Sequence, residues 1–326
     1  MKPFISLTNA ALAIALAVLS ANVAAQTYPS KPLRLVVPFS PGGPNDIIGR
    51  LVGQQLTEQW KQPVVIENRG GSGGTIGLEA ASKLPADGYS LAMGGSSNLT
   101  VAPSLYEKLP YDPVKDFAPI ILVAVVPYAL AVNPTVPAKN VRELIAIARN
   151  KPGYLNYGSS GKGSMSSLAA ELFKAMSKTN IVHVPYKGTA PALTDVVSGQ
   201  IDMMMADLAL IRRHSDAGKL RVLAVAGTKR SAAAPQVPTI AESGLSGYDI
   251  SPWFGVVTPG GTPAELVARL NSAINAGLKS ADMTKRLDAL GYEPLGGTAS
   301  EFAATIKADL VKYAKIVKIA GIKPGL

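Results

Sequence analysis

Residues 35–56 read "LVVPFSPGGPNDIIGRLVGQQL". An apolar run stops at Pro38, a loop of small residues follows, and helical spacing begins near Pro44. Ile48, Leu51, Val52, Leu56 and Trp60 recur at steps of three and four, which predicts a helix over about 45–60 with one buried face. The unit is therefore strand, glycine loop, helix. Its loop holds no obvious nucleophile, metal ligand or phosphate cradle.

The same alternation continues on both sides of this unit. "PVVIEN", "YSLAMGG", "LNYG", "NIVHVPY", "IDMMMA" and "LRVLAVA" read as strands, each separated from the next by a helical pattern. Such alternation predicts right-handed crossovers and a mainly parallel sheet flanked by helices, and unbroken apolar strands fit a sheet covered on both faces. Met203, Met204 and Met205 are read as core. Two long extended runs interrupt the pattern: "APIILVAVVPYALAVN" at 118–133, broken at Pro127, and "YDISPWFGVVTP" at 248–259. They read as two crossings between lobes, with hinges near Val126–Tyr128 and Ser251–Phe254. The expected fold class is α/β with two lobes, each a mainly parallel sheet flanked by helices. One lobe is discontinuous (26–127 plus 251–326), the other is 128–250, and the helices after Thr262 return to the first sheet. One large open sheet is the alternative, and it leaves the restart near Asn133 unexplained.

The first 25 residues stand apart. Lys2, an apolar run over about Ala10–Leu19 and the small residues Val23 and Ala25 have the layout of a secretory signal peptide cleaved after Ala25. The apolar run is too short to favour an anchor helix. An exported mature chain is expected. The 326 residues contain no Cys, which excludes disulfides, zinc–thiolate sites and thiol catalysis. The net charge of +10 is spread out, and aromatic residues are only 6%, so no basic, aromatic-interleaved nucleic-acid stripe forms. The densest basic stretch, Lys307, Lys312, Lys315, Lys318 and Lys323, reads as the solvated face of a terminal helix. A small anionic ligand makes better use of the charge.

The opening unit has a counterpart in the other half, "LNYGSSGKGSMSSLAAELF". In both, a strand ends in small residues just before a helix N-terminus, where free N–H groups and the helix dipole suit a carboxylate or phosphate. Gly42 and Gly43 allow close approach to backbone, and Ser159, Ser160 and Ser164 add hydroxyls. Glycine and serine also serve ordinary turns, but a matched pair in two lobes points to a clamp on a small anion. Asp46, in the first helical turn, is read as an organiser of its loop rather than a catalyst. Asp207 ends a strand facing the presumed cleft, where it either meets a ligand or caps the next helix. Tyr186, Lys187 and Gly188 combine a phenol, a cation and a flexible turn.

Motifs of known chemistry fail. "GSSGKGS" lacks the first P-loop glycine, since Asn156 stands there, and Lys162 is followed by Gly163. "GGSGG" lacks dinucleotide spacing, because Ile76 occupies the sixth position. It does match a nucleophile elbow centred on Ser72, so an exported α/β hydrolase using Ser72 with a histidine is the alternative reading. His183 and His214 are the only histidines. They show no metal-ligand spacing, and both read as structural or solvated. No cofactor is called for.

Taken in order, "YPSKPLRLVVPFSPGGPNDIIGRL", "PVVIENRGGSGGTIG", "PADGYSL", "SLYEKLPYDPVKDFAPI", "VHVPYKGTAPALTDVVSGQID", "VPTIAESG" and "GGTPAELVARLN" resemble the Bug family, the extracytoplasmic solute receptors of tripartite tricarboxylate transporters. The resemblance covers Tyr28 to the C-terminus. It implies a two-lobe periplasmic binding protein that closes on a small carboxylate and catalyses no reaction. The ligand class is a dicarboxylate, tricarboxylate, amino acid or aromatic acid, and membrane transporter subunits are the partners of a monomer. Carried onto this chain, the ligand loops are Phe39 to Asp46, including Ser40 and Asn45, and Ser159 to Ser164, including Gly161. Ser96, Ser97 and the Tyr186–Gly188 turn support them. Two departures stand out. Ser167 replaces a frequent His, and Met205-Ala206-Asp207-Leu208-Ala209 replaces a frequent Phe-Asp-Asn-Leu-Pro.

Overall fold

The computed structural model describes residues 28–323 and 325, so the expected signal peptide lies outside the described residues. The chain opens with β1 (Leu33–Val37), α1 (Pro44–Trp60), β2 (Val64–Asn68), α2 (Thr75–Ser82) and β3 (Ser90–Gly95). A π-type turn at Ser97–Val101 runs into the short α3 (Ala102–Leu105), and β4 (Phe117–Val125) then leads across to β5 (Tyr128–Val132). Next come α4 (Val141–Asn150), β6 (Asn156–Ser159), α5 (Met165–Ser177), β7 (Val182–Pro185), α6 (Thr189–Ser198), β8 (Met203–Asp207), α7 (Leu208–Asp216) and β9 (Arg221–Val225). The chain closes with β10 (Trp253–Pro259), α8 (Ala264–Leu278), α9 (Ala281–Ala289), β11 (Glu293–Pro294) and α10 (Ala299–Ile319).

The strands form two sheets. The first has the order β11-β4-β10-β3-β1-β2, and the second β7-β6-β8-β5-β9. We call each sheet with its flanking helices a lobe. Pro127 separates β4 and β5, which belong to different sheets, so the long apolar run does cross between them. The return crossing lies beside it, where Val126 N donates to Pro252 O at 2.9 Å.

By strand direction the sheets are mainly parallel, as expected: β1, β2, β3 and β4 run one way in the first sheet, and β6, β7, β8 and β9 run one way in the second. β1 pairs parallel with β2 and β3, and β6 with β7 and β8, as strand–helix repeats require. The strands that leave the crossings, β5 and β10, pair antiparallel with both of their neighbours. The cause is direction of travel. The repeat strands run toward the seam between the lobes and end there, whereas a strand arriving from the other lobe starts at the seam and runs away from it.

β3, β5, β8 and β10 are buried along their whole length, as expected for strands covered on both faces. Met203 and Met205 enter one core cluster and Met204 another, following the two-residue period of a strand. The terminal helix packs on the first sheet and also reaches the second lobe. Phe302 and Ile306 pack on that sheet, but Tyr313, Ile316 and Val317 join the core that holds Phe173, Met203 and Met205 of the second lobe. At 21 residues α10 is roughly 31 Å long, enough to span the seam. Lys307, Lys315, Lys318 and Lys323 are exposed on it or just after it, while Lys312 pairs with Asp249 at 2.8 Å beside the return crossing.

Candidate functional site

A cavity of about 60 Å³ lies at the seam, with Phe39, Ser40, Gly43, Asn45, Ser96 and Ser97 on the lobe 1 side. Ser160, Ser164, Met165, Gly188, Thr189 and Tyr128 line it from lobe 2, and Pro252 and Phe254 from the return crossing. By the measure that gives one water about 10–15 Å³, it holds roughly four to six atoms of water size. Among the described residues no Lys, Arg, His, Asp or Glu lines it.

Three helices of ten residues or more begin at this cavity. α1 starts after Gly43, α5 after Ser164 and α6 after Gly188. The first-turn N–H groups of a helix have no partner within the helix, and its dipole places partial positive charge there. The site is thus an electropositive hollow made from backbone, walled by Phe39, Met165, Phe254 and several prolines.

The loop before α1 is tied down by its own side chains. Asp46 Oδ2 accepts from Gly42 N at 3.0 Å and from Arg50 Nε at 2.9 Å, and its Oδ1 accepts from Asn68 Nδ2 at 2.9 Å. Asn68 Nδ2 also donates to Phe39 O. Burial disfavours the Asp46 charge, but the bonds from Arg50, Asn68 and Gly42 outweigh it and hold the carboxyl below its ordinary range. Asp46 faces its loop and does not line the cavity.

The loop before α5 is a serine network. Ser164 caps the helix by accepting from Ser167 N, and it donates to Gly161 O at 2.7 Å. Ser160 N donates to Ser166 Oγ at 2.9 Å. Gly161 and Gly163 adopt φ of 127° and 77°, which a side chain would strain. Ser159 is fully buried and bonds His183 Nε2 at 2.7 Å. Burial, together with Lys174 and Lys162 and against Glu171, lowers the His183 pKa and favours the neutral ring.

The lobes touch around the cavity. Ser97 Oγ lies 3.2 Å from Gly73 O and 3.5 Å from Gly163 O across the seam, and Ser40 Oγ lies 3.5 Å from Lys187 O. Gly73 has φ 65°, which strains a side chain, and a Cβ there would sit 3.2 Å from Gly163 O, so the facing loop would have to give way.

The expected residues divide into three groups. Phe39, Ser40, Gly43, Asn45, Ser96, Ser97, Ser160, Ser164 and Gly188 line the cavity, while Gly42, Asp46 and Ser159 lie behind it as loop supports. Gly161, Tyr186 and Lys187 line a wider chamber of about 700 Å³ that shares Phe39, Ser40 and Ser160 with the inner one. Asp207 is the correction. It is buried away from the cavity wall, where it caps α7 by accepting from Ala209 N and receives the Tyr292 hydroxyl at 2.5 Å from lobe 1. Burial raises its pKa to about 7, opposed by the bonds from Tyr292 and the α7 backbone. Sequence reasoning missed Tyr128, Met165, Thr189, Pro252 and Phe254. The signal was present for the crossings, because strand ends at a hinge necessarily flank the cleft.

The hydrolase alternative finds no catalytic pair. Ser72 stands in a short turn, its carbonyl accepting from Tyr106 and Thr75, and among the described residues no histidine contacts its hydroxyl. His183 is engaged by Ser159, and His214 sits in the last turn of α7.

Comparison with known proteins agrees with this geometry. The family model described as "Tripartite tricarboxylate transporter family receptor" matches residues 48–322. Protein BugT of Bordetella pertussis is 36% identical over 311 residues, 95% of each chain. The structure of R. palustris Rpa4515 with adipate superposes with a TM-score of 0.89 at 39% identity, covering 91% of this chain and 100% of that one. MatC from Rhodopseudomonas palustris with bound malate gives 0.85 at 31%, covering 89% and 100%. The two-sheet α/β architecture is that of periplasmic binding proteins, and the chain belongs to the tripartite tricarboxylate transporter receptor family, the Bug-type solute-binding receptors.

Proposed function

We propose that this chain is an extracytoplasmic receptor that binds a small carboxylate in the cavity between its lobes and delivers it to the membrane subunits of a tripartite tricarboxylate-type transporter. One observation carries the reading: three helix N-termini, drawn from both lobes, converge on one cavity lined by no charged side chain. Fixed N–H dipoles suit an anion in such a place without needing a counter-charge. The apolar walls suit a carbon skeleton, and the neighbours solved with adipate and malate support an organic acid as the ligand.

In this reading residues 26–127 with 251–326 move against 128–250 about the two crossings, with α10 bracing both. Ligand contacts in both lobes favour the closed arrangement, because only there are all three helix ends within reach. The protein performs no chemistry on its ligand.

A thermal-shift screen of the chain from residue 26 against adipate, malate, citrate, succinate, glutamate and benzoate tests the proposal. A ligand at about 100 times its dissociation constant adds about 2.7 kcal/mol of stability. At least one acid should raise the melting temperature by several degrees. A flat panel refutes the proposal.

A further inference from the structure

Most buried phenols in this protein donate to a protein acceptor. Tyr111 donates to Asn98 O, Tyr157 to Glu171, Tyr248 to Ala169 O and Tyr292 to Asp207. Tyr128 is the exception in the cavity wall. It is 7% exposed and lines the cavity, and its hydroxyl makes no hydrogen bond to the described residues but keeps some accessible surface. Tyr313 also lacks a partner but lies outside that wall. Asn45, on the opposite lobe, is 3% exposed and lines the cavity, and its acceptor Oδ1 is buried and unpaired among the described residues.

Unpaired buried polar groups are costly, and native proteins keep few of them. Tyr128 leaves an unclaimed donor on the cavity wall, which an acceptor on the occupant would pair; Asn45 Oδ1 is itself an acceptor and would need a donor, which a carboxylate lacks. Tyr128 is also held rigidly. Its carbonyl accepts from Ala226 N at 2.8 Å, the preceding Pro127 carbonyl accepts from Leu208 N at 2.8 Å, and β5 is paired on both sides. A hydroxyl fixed in this way needs little ordering when a ligand arrives.

We propose that Tyr128 is a specificity-determining residue of the cavity, its hydroxyl donating to a carboxylate oxygen of the ligand at the hinge end. This rests on the receptor reading above. The helix N-termini supply diffuse positive potential that any small anion satisfies. Tyr128 adds a directed donor at one fixed point, so it selects acids whose carboxylate reaches the hinge while the carbon body lies against Phe39, Met165 and Phe254.

The test is Tyr128→Phe, which removes the hydroxyl and keeps the ring. Adipate, malate, citrate and benzoate are titrated calorimetrically into wild type and variant, and both ligand-free melting temperatures are recorded. Loss of a hydrogen bond to a charged group predicts a ~10- to 100-fold rise in the dissociation constant of the tightest acid. The ligand-free melting temperature should stay level or rise, because the deleted hydroxyl has no protein partner. An unchanged dissociation constant overturns the proposal, and so does a fall in ligand-free stability that accounts for the weaker binding. If wild type binds none of the four acids while the wider screen finds a binder, the residue is tested with that binder under the same criteria. If no acid binds at all, the receptor reading falls and this inference falls with it.

Discussion

Replacing Asp46 with Ala separates the organising of the ligand loop from contact with the ligand. The carboxylate accepts three hydrogen bonds, from Gly42 N, Arg50 Nε and Asn68 Nδ2, all between 2.9 and 3.0 Å. Bonds to a charged group are each worth about 1.5–3 kcal/mol. Here a discount applies, because Gly42 is exposed and the Arg50 side chain is 54% exposed, so both donors regain water when the carboxylate goes. Asn68 also keeps its bond to Phe39 O. A net loss of about 2–3 kcal/mol follows, which lowers the melting temperature by roughly 5 °C or more. Because the native carboxyl is held below its ordinary range, this contribution is fully present above about pH 4. It fades as the pH falls through the lowered native pKa, so the gap between wild type and Asp46→Ala narrows in acid. Freeing the Phe39–Gly43 loop also removes pre-organised amides, and affinity for the acid found by thermal shift should drop about tenfold or more. Equal melting temperatures at pH 7 would refute the organising role. A destabilised variant with undiminished affinity would instead show that the loop does not hold the ligand.

Two further predictions probe the cavity and the seam. Gly43 has φ −86°, an extended conformation open to any residue, and a Cβ there meets nothing within 4 Å. Gly43→Val should therefore shift stability by no more than about 1 kcal/mol while filling much of the cavity and weakening ligand binding at least tenfold; retained affinity in titration calorimetry would contradict the assigned position. Asp207 carries a pKa raised from 3.8 to about 7, chiefly by burial, so the native state holds a proton that the unfolded chain has already lost between those values. Wild-type stability should thus fall relative to Asp207→Asn as pH rises from about 4 to 7, by at most about 4 kcal/mol, and level off above. Parallel denaturation curves across that range would show that Asp207 does not titrate this way.

Much of the fold was legible because strand and helix periods are local properties. The steps from Ile48 to Leu56 and the unbroken "IDMMMA" needed no tertiary information to be read. The crossing at Pro127 was visible as an interruption of that rhythm. The reversed direction of β5 and β10 within mainly parallel sheets was less so, since an apolar strand looks the same in a parallel or an antiparallel pair. The reach of α10 into the second core depends on its length relative to the sheet below it, which periodicity does not report. In the site, small residues before a helix marked Gly43, Ser160 and Ser164 because backbone recognition has a loop signature. Met165 has none, since a thioether beside a cavity resembles one in a core, and Tyr128 and Phe254 were marked only by their place at the crossings. Asp207 failed in the opposite sense: a strand end at the seam fits both a ligand contact and a helix cap, and only the Tyr292 hydroxyl opposite it decides between them.

The central claim is that a carboxylate is held by helix N-termini from both lobes at once. Amide hydrogen exchange, read by mass spectrometry with and without a saturating acid identified by the thermal-shift screen, tests this most directly. The account predicts added protection at three separate segments, around residues 43–46, 164–167 and 188–190, with little change on the outer helical faces. Protection confined to one lobe, or appearing away from these three helix starts, would contradict it.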